Sequence, residues 1–222
     1  MARGQSLKRV HRPDAGFAGL SRLLAFSMSI PGHSGQPLVN VIDLEATCWD
    51  GPIPPGQSNE VIEIGLCVFG PATRERYSRH QILVKPGRSE VSGFCTRLTG
   101  WTAAQVASGV SFAEACGQLR REFRSDSRLM VSWGGYDFRQ IGRQCAATDT
   151  PFPFARHLDL KAAHRDFYRL PKRLGLGQAV EQAGLTFEGR AHVGADDAWN
   201  VAAILSQMLE DGYTLPVVSP EG

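Results

Sequence analysis

A chain of 222 residues, 42% hydrophobic and 21% charged, holds enough apolar material for one full core and lacks the bias of a disordered or fibrous chain. No run approaches the roughly 20 apolar residues of a membrane span. Five scattered cysteines with no C-x-x-C pair exclude a zinc or disulfide framework and point to reduced, cytoplasmic thiols.

The net charge of +2 conceals an asymmetry. Residues 1–37 carry Arg3, Lys8, Arg9, Arg12 and Arg22 against Asp14, a net of +4, so the remainder carries −2. This first stretch reads as a basic, flexible N-terminal extension. Its "GLSRLLAFSMSI" has the apolar run of a signal peptide, but Arg22 interrupts it and no clean cleavage site follows; Met28 is a candidate start. Next, "LVNVIDLEA" (38–46) is apolar on both alternations, as expected of a central strand covered on both faces. A Pro/Gly loop, "DGPIPPGQS", leads to a second strand, "EVIEIGLCVFG". The short link to "RYSRHQILVKP" predicts an antiparallel hairpin. "SEVSGFCTRLTGWTAAQV" and "SFAEACGQLRREF" have helical spacing. "RLMVSW" is a short strand that two glycines separate from the helix "YDFRQIGRQC", with Phe138, Ile141 and Cys145 on its apolar side. "ARHLDL" is a fifth strand, helices follow at 161–169 and 175–183, and a last helix spans about Ala195 to Leu209. Strands first, then strands alternating with helices, give an α/β fold with a mixed sheet.

Four acids in this layout stand out. Asp43 and Glu45 share one face of the first strand, because alternate side chains point the same way. Paired carboxylates at the end of a buried strand repel each other, and a hard divalent cation relieves that repulsion. Neighbouring Cys48 reads as a small buried hydrophobe. On the last helix, Asp197 shares a stripe with Val201, Ile204 and Met208, whereas Asp196 falls with Asn200, Ala203 and Gln207 on a more polar face. Helical phase therefore turns Asp197 inward and leaves Asp196 as a dipole-stabilising residue. His192 precedes this helix in a glycine-containing loop, where a neutral imidazole beside a metal site can take a proton from water. Asp137 follows the fourth strand at a helix N-terminus.

Taken together, D-x-E, a later Asp, and H-x-x-x-x-D opening the last helix resemble the DEDDh 3′–5′ exonucleases of the DnaQ-like superfamily. "VIDLEATCW", "NEVIEIG", "LVKPGRSEVSGFCTRLTGWTAAQV", "SWGGYDF" and "GLTFEGRAHVGADDAWNVAAIL" are similar to one branch of them: the eukaryotic enhanced-RNAi-type exonucleases and the bacterial predicted inhibitors of the sporulation kinase pathway. The likeness covers about residues 38–210, leaving 211–222 as a C-terminal tail. It implies a ribonuclease H-like fold, a five-stranded mixed sheet flanked by helices. It also implies that Asp43, Glu45, Asp137 and Asp197 hold two Mg²⁺ (or Mn²⁺) ions, with His192 as general base, and that nucleoside 5′-monophosphates are released from single-stranded RNA or DNA 3′ ends. One departure is "WGGYD", which has extra residues between Trp133 and Asp137 where the eukaryotic enzymes read W-D.

Thr47, Phe94 and Trp133 are the candidates for substrate contact, with Trp101 a further stacking candidate and "KAAHRDFYRLPKR" and Arg120–Arg128 as basic clusters. His157 and Asp159 of "HLDL" are read as structural. A proofreading subunit of a polymerase and a protein-binding regulator remain the alternatives; the expected partner is nucleic acid rather than a membrane, with protein partners open.

Overall fold

The computed structural model describes residues 37–216. The expectations for residues 1–36, including the flexible extension and Met28, and for 217–222 lie outside it. Five strands, β1 (Val39–Ala46), β2 (Val61–Gly70), β3 (Glu75–Leu83), β4 (Leu129–Ser132) and β5 (His157–Asp159), form one sheet in the order β3-β2-β1-β4-β5. β1 pairs antiparallel with β2 and parallel with β4; β2–β3 is antiparallel and β4–β5 parallel. The mixed sheet and the hairpin are as the sequence predicts. The helices are α1 (Gly93–Thr99), α2 (Ala103–Ala107), α3 (Phe112–Phe123), α4 (Tyr136–Thr148), α5 (Leu160–Phe167), α6 (Leu176–Gln182) and α7 (Gly194–Glu210).

The two faces of β1 have different partners. Val39 and Val41 join Cys67, Phe69, Val131 and the α7 residues Val201, Ile204, Leu205 and Met208 in one apolar cluster. On the opposite face the buried Asn40 amide donates to Phe123 O, 2.9 Å away at the end of α3. By alternation, Asp43 and Glu45 continue the α7 face. Opposite them on β2 stand Gly65 and Glu63 respectively, and a register shift follows Glu45.

Two elements differ from expectation. The single helical stretch at 89–106 divides into α1 and α2 because Gly100 adopts φ +84°, a left-handed turn that ends α1. The fifth strand is only three residues long, because the Asp159 side chain accepts from Ala162 N at 2.9 Å and caps α5. Beyond α7, Tyr213 and Leu215 still pack on the core, so the described start of the expected tail belongs to the folded unit. No described helix is long and apolar enough to cross a membrane.

Candidate active site

Three distant segments deliver the acids to one end of β1. Asp43 and Glu45 come from β1. β4 runs parallel beside it, and Gly134 (φ +115°) turns the chain sharply into α4, so Asp137 points inward from that helix's first turn. Its Oδ1 accepts from Leu44 N at 3.2 Å, which pins it to the D-x-E segment itself. Asp197 enters from the first turn of α7, 8% exposed, and its Oδ2 accepts from His192 N at 2.9 Å. His192 is exposed and held at φ +63°, a left-handed conformation that few side chains other than glycine adopt without strain. Ligand atoms of Glu45, His192 and Asp197 all lie within 4.8 Å of one another.

The approach of α7 depends on two glycines. A Cβ on Gly65 would stand 1.9 Å from Gly194 C, and one on Gly194 would stand 3.0 Å from Asp43 O. Without side chains at both positions, the first turn of α7 lies directly on β2 and brings Asp197 beside β1. The inward stripe Asp197, Val201, Ile204 and Met208 is buried as its phase predicts. Asp196 instead bonds Arg79 at 2.5 Å and accepts from Arg190 N at 2.8 Å, a structural role. Asn200, assigned to the polar face, is buried as well; its amide is satisfied by Glu188 backbone groups and Asp196 O.

A fifth acid belongs to this cluster. Glu63 is fully buried, cross-strand from Glu45, and accepts from Gln81 Nε2 (2.8 Å), Trp101 Nε1 (2.5 Å) and Ala195 N (3.1 Å). It ties the α7 N-terminus and the α1–α2 connection to the sheet. The available signal was an ionisable residue inside the otherwise apolar run "VIEIGLCVFG", since a glutamate is rarely fully buried unless paired.

Crowding shows in the protonation of these groups. Burial pushes the Glu45 carboxyl up to about 8, with Glu63, Asp197 and Asp137 adding repulsion and Arg190 opposing. Asp197 rises to about 7 through burial, against the pull of the His192 N–H. Asp137 rises to about 6 through burial, moderated by the Leu44 N–H and the Ser132 hydroxyl. Asp43 lies well above the usual carboxylate range through desolvation and the charges of Asp137, Asp197, Glu45 and Glu63. Among the described residues, none of Asp43, Glu45, Asp137 and Asp197 makes an ion pair with Lys or Arg. Clustered hard oxygen donors without a direct ion-pair partner, one imidazole alongside, suit a divalent cation of the Mg²⁺ or Mn²⁺ type.

The expected substrate contacts divide. The Thr47 hydroxyl donates to Ser58 O and accepts from Glu60 N, both at 2.9 Å, so it is spent on the loop after β1. Trp133 packs on the core, its ring edge-on to His164 and its Nε1 bonded to Leu174 O at 3.2 Å. Trp101 is committed to Glu63. Phe94 stays half-buried on α1, whose cap Ser92 donates to Cys48 O at 2.6 Å, just beyond D-x-E. The aromatic that sequence reasoning missed is Tyr136, 44% exposed and directly before Asp137. Its place in "WGGYD" was the clue, masked by the more prominent Trp133. Phe138, expected on the apolar side of its helix, is only half-buried and stacks on His157 at 4.6 Å. Of the basic clusters, Arg120 bonds Pro151 O, Arg121 pairs Glu114, Arg128 reaches Asn40, Arg165 pairs Asp166 and Arg173 reaches Asp159.

This arrangement has known counterparts. The Exonuclease (RNase T) family profile matches residues 40–205. The chain belongs to the DEDDh 3′–5′ exonuclease family. Among curated relatives of this DEDDh exonuclease, the 3′-5′ exonuclease Snipper of Drosophila melanogaster is 28% identical, over 78% of this chain and 70% of that protein. The human 3′-5′ exoribonuclease 1 is 30% identical over 80% of this chain but 54% of its own length, so the chain spans about half of that relative. The solved nuclease domain of 3′hExo, a DEDDh family member bound to rAMP, superposes with a TM-score of 0.73 at 28% identity, covering 81% of this chain and 94% of that one. The ribonuclease H-like fold and the enhanced-RNAi-type branch expected from the motifs are therefore correct.

Proposed function

We propose that this DEDDh exonuclease removes nucleotides from the 3′ ends of single-stranded RNA, with Mg²⁺ or Mn²⁺ as cofactor. The observation that supports it most is the convergence of Glu45, Asp197 and His192 within 4.8 Å, with Asp43 and Asp137 in the same charged cluster. Asp43, Glu45, Asp137 and Asp197 would hold two ions, which supply charge neutralisation for the scissile phosphate and its leaving oxygen. The chain's own groups do the rest. His192, exposed at the rim, removes a proton from the attacking water, and the Asp197 carboxylate orients its loop through the His192 N–H. Asp137 is held by Leu44 N, so β1 and the start of α4 keep one geometry. Tyr136, exposed next to Asp137, presents an aromatic surface for the terminal bases, and the half-buried Phe94 is the second aromatic assigned to them. RNA is favoured over DNA because the human relative is an exoribonuclease and the solved neighbour holds rAMP. The five cysteines are all free, which supports a reducing compartment such as the cytoplasm.

Incubating 5′-labelled single-stranded RNA and DNA with Mg²⁺ or Mn²⁺ tests the reading. A ladder of one-nucleotide steps that EDTA abolishes, stronger on RNA, is the expected result. Intact substrate in every lane would favour a regulatory protein, and a stronger DNA ladder would overturn the substrate assignment.

A further inference from the structure

A shallow, open cleft of about 420 Å³ lies along one face of α4, lined by Phe138, Arg139, Gly142, Arg143 and Phe152. Its walls are aromatic and cationic, with no carboxylate in the lining. Neither arginine makes an ion pair with a carboxylate among the described residues, unlike Arg121, Arg165 and Arg173, which have acidic partners. Phe152 is 37% exposed, and it meets Phe138 edge-on at 5.0 Å and Phe154 at 6.0 Å. Phe138 is fixed by its stacking on His157. Both rings thus have aromatic neighbours and still present surface to the cleft. The floor is Gly142, in mid-helix, where glycine weakens a helix relative to alanine. No close contact demands it: a Cβ there would reach nothing nearer than Phe152 Cε2 at 3.8 Å. What glycine preserves there is open space.

The cleft shares α4 with the acidic cluster, which Asp137 joins from that helix's first turn. Phe138 follows Asp137 in sequence, and the Arg139 guanidinium folds back over Gly135 at the start of α4, where an added Cβ would lie 2.4 Å from Nη1. Arg143 lies over the Tyr136 ring, 5.9 Å from its centroid. A strand whose 3′ end reaches Asp137 therefore meets Tyr136, then Arg143, then the two phenylalanines.

We infer that this cleft is a second nucleic-acid subsite, holding the single strand upstream of the 3′ nucleotides, with a base against Phe152 and phosphates on Arg139 and Arg143. The inference rests on the exonuclease reading above and extends it to substrate length. Guanidiniums without a carboxylate ion pair among the described residues (Arg143 Nη2 donates only to the neutral Gln140 Oε1, at 2.5 Å) suit an anionic backbone, and aromatic faces stack any base, so the subsite favours longer single strands without reading their sequence.

Single-stranded RNAs of 3 and 12 nucleotides separate the terminal site from the cleft. Binding is measured by fluorescence anisotropy in EDTA, and KM and kcat with Mn²⁺, for the wild type, Arg143→Ala and Phe152→Leu, the last retaining apolar bulk but no ring. Expected is a rise in Kd and KM for the 12-mer of about fivefold or more in each variant. The 3-mer KM and both kcat values should stay unchanged. For Arg143→Ala the slope of log Kd against log salt should also flatten by about 0.7. Unchanged 12-mer affinity, or an equal rise for the 3-mer, overturns the proposal. So does a wild type that binds the two lengths equally, even if it yields a normal cleavage ladder. Conversely, a wild type that binds the 12-mer but cleaves nothing refutes the nuclease reading, while the anisotropy comparison still judges the cleft.

Discussion

Without metal, the protein should lose stability as pH rises from 6.5 to 8. The Glu45 carboxyl titrates near 8 in the folded protein and near 4.5 in an ordinary environment. Between those values the native state keeps a proton that the unfolded chain has released. Stability therefore falls by about 1.4 kcal/mol per pH unit, or about 2 kcal/mol over the window. Asp197, near 7, adds to the fall in the lower half. Burial lowers the pKa of His80, His157 and His164, so their contribution has the opposite sign, being lost as pH falls. That opposing trend lies mostly below pH 6.5, which is why the window starts there. For a folded unit of this size, 2 kcal/mol corresponds to a Tm decrease of about 4–8 °C. Differential scanning calorimetry in EDTA at constant ionic strength reads this directly. Under the proposed function, millimolar Mg²⁺ or Mn²⁺ would bind the ionised cluster, so the Tm gained from metal should grow across the same window, and Glu45→Gln should flatten the EDTA profile. A metal-free Tm that is level or rises from pH 6.5 to 8 would refute the idea that burial, with added repulsion from neighbouring acids, disfavours the ionised carboxylates.

Other consequences follow from particular contacts. His192→Ala should lower kcat by about 10²–10⁴ with little change in Tm, because the side chain is exposed; a rate within threefold of wild type would remove it as the base. Asp197→Asn should abolish most turnover, whereas Asp196→Asn, which keeps an acceptor for Arg190 N, should remain within a few fold; the reverse order would mean that helical phase misassigned the pair. Gly65→Ala places a methyl 1.9 Å from Gly194 C, so α7 must shift, and a loss of at least about 1–3 kcal/mol together with activity is expected by thermal melt and nuclease assay. Glu63→Gln turns an NH₂ group toward the donors now held by the carboxylate and should cost about 1–3 kcal/mol; a wild-type Tm would show those bonds to be dispensable.

Much of this molecule follows from local pattern alone. The period of two along β1 puts Asp43 and Glu45 on one face, and the 3.6-residue period of α7 separates Asp197 from Asp196, because each depends only on backbone geometry within one element. The apolar runs, the hairpin and the turn into α4 are local in the same sense. What depended on the tertiary structure joins residues far apart in the chain. Cross-strand register places Glu63 opposite Glu45, and no periodicity within β2 encodes that partner. Helix-on-sheet docking requires Gly65 and Gly194 together, though each alone reads as an ordinary small residue. Which aromatic of "SWGGYDF" faces the acids turns on the Gly134 bend, which leaves Trp133 in the core and carries Tyr136 outward. Side-chain direction within an element is set by its own backbone, whereas meetings between elements are set by packing, where every side chain competes for the same volume.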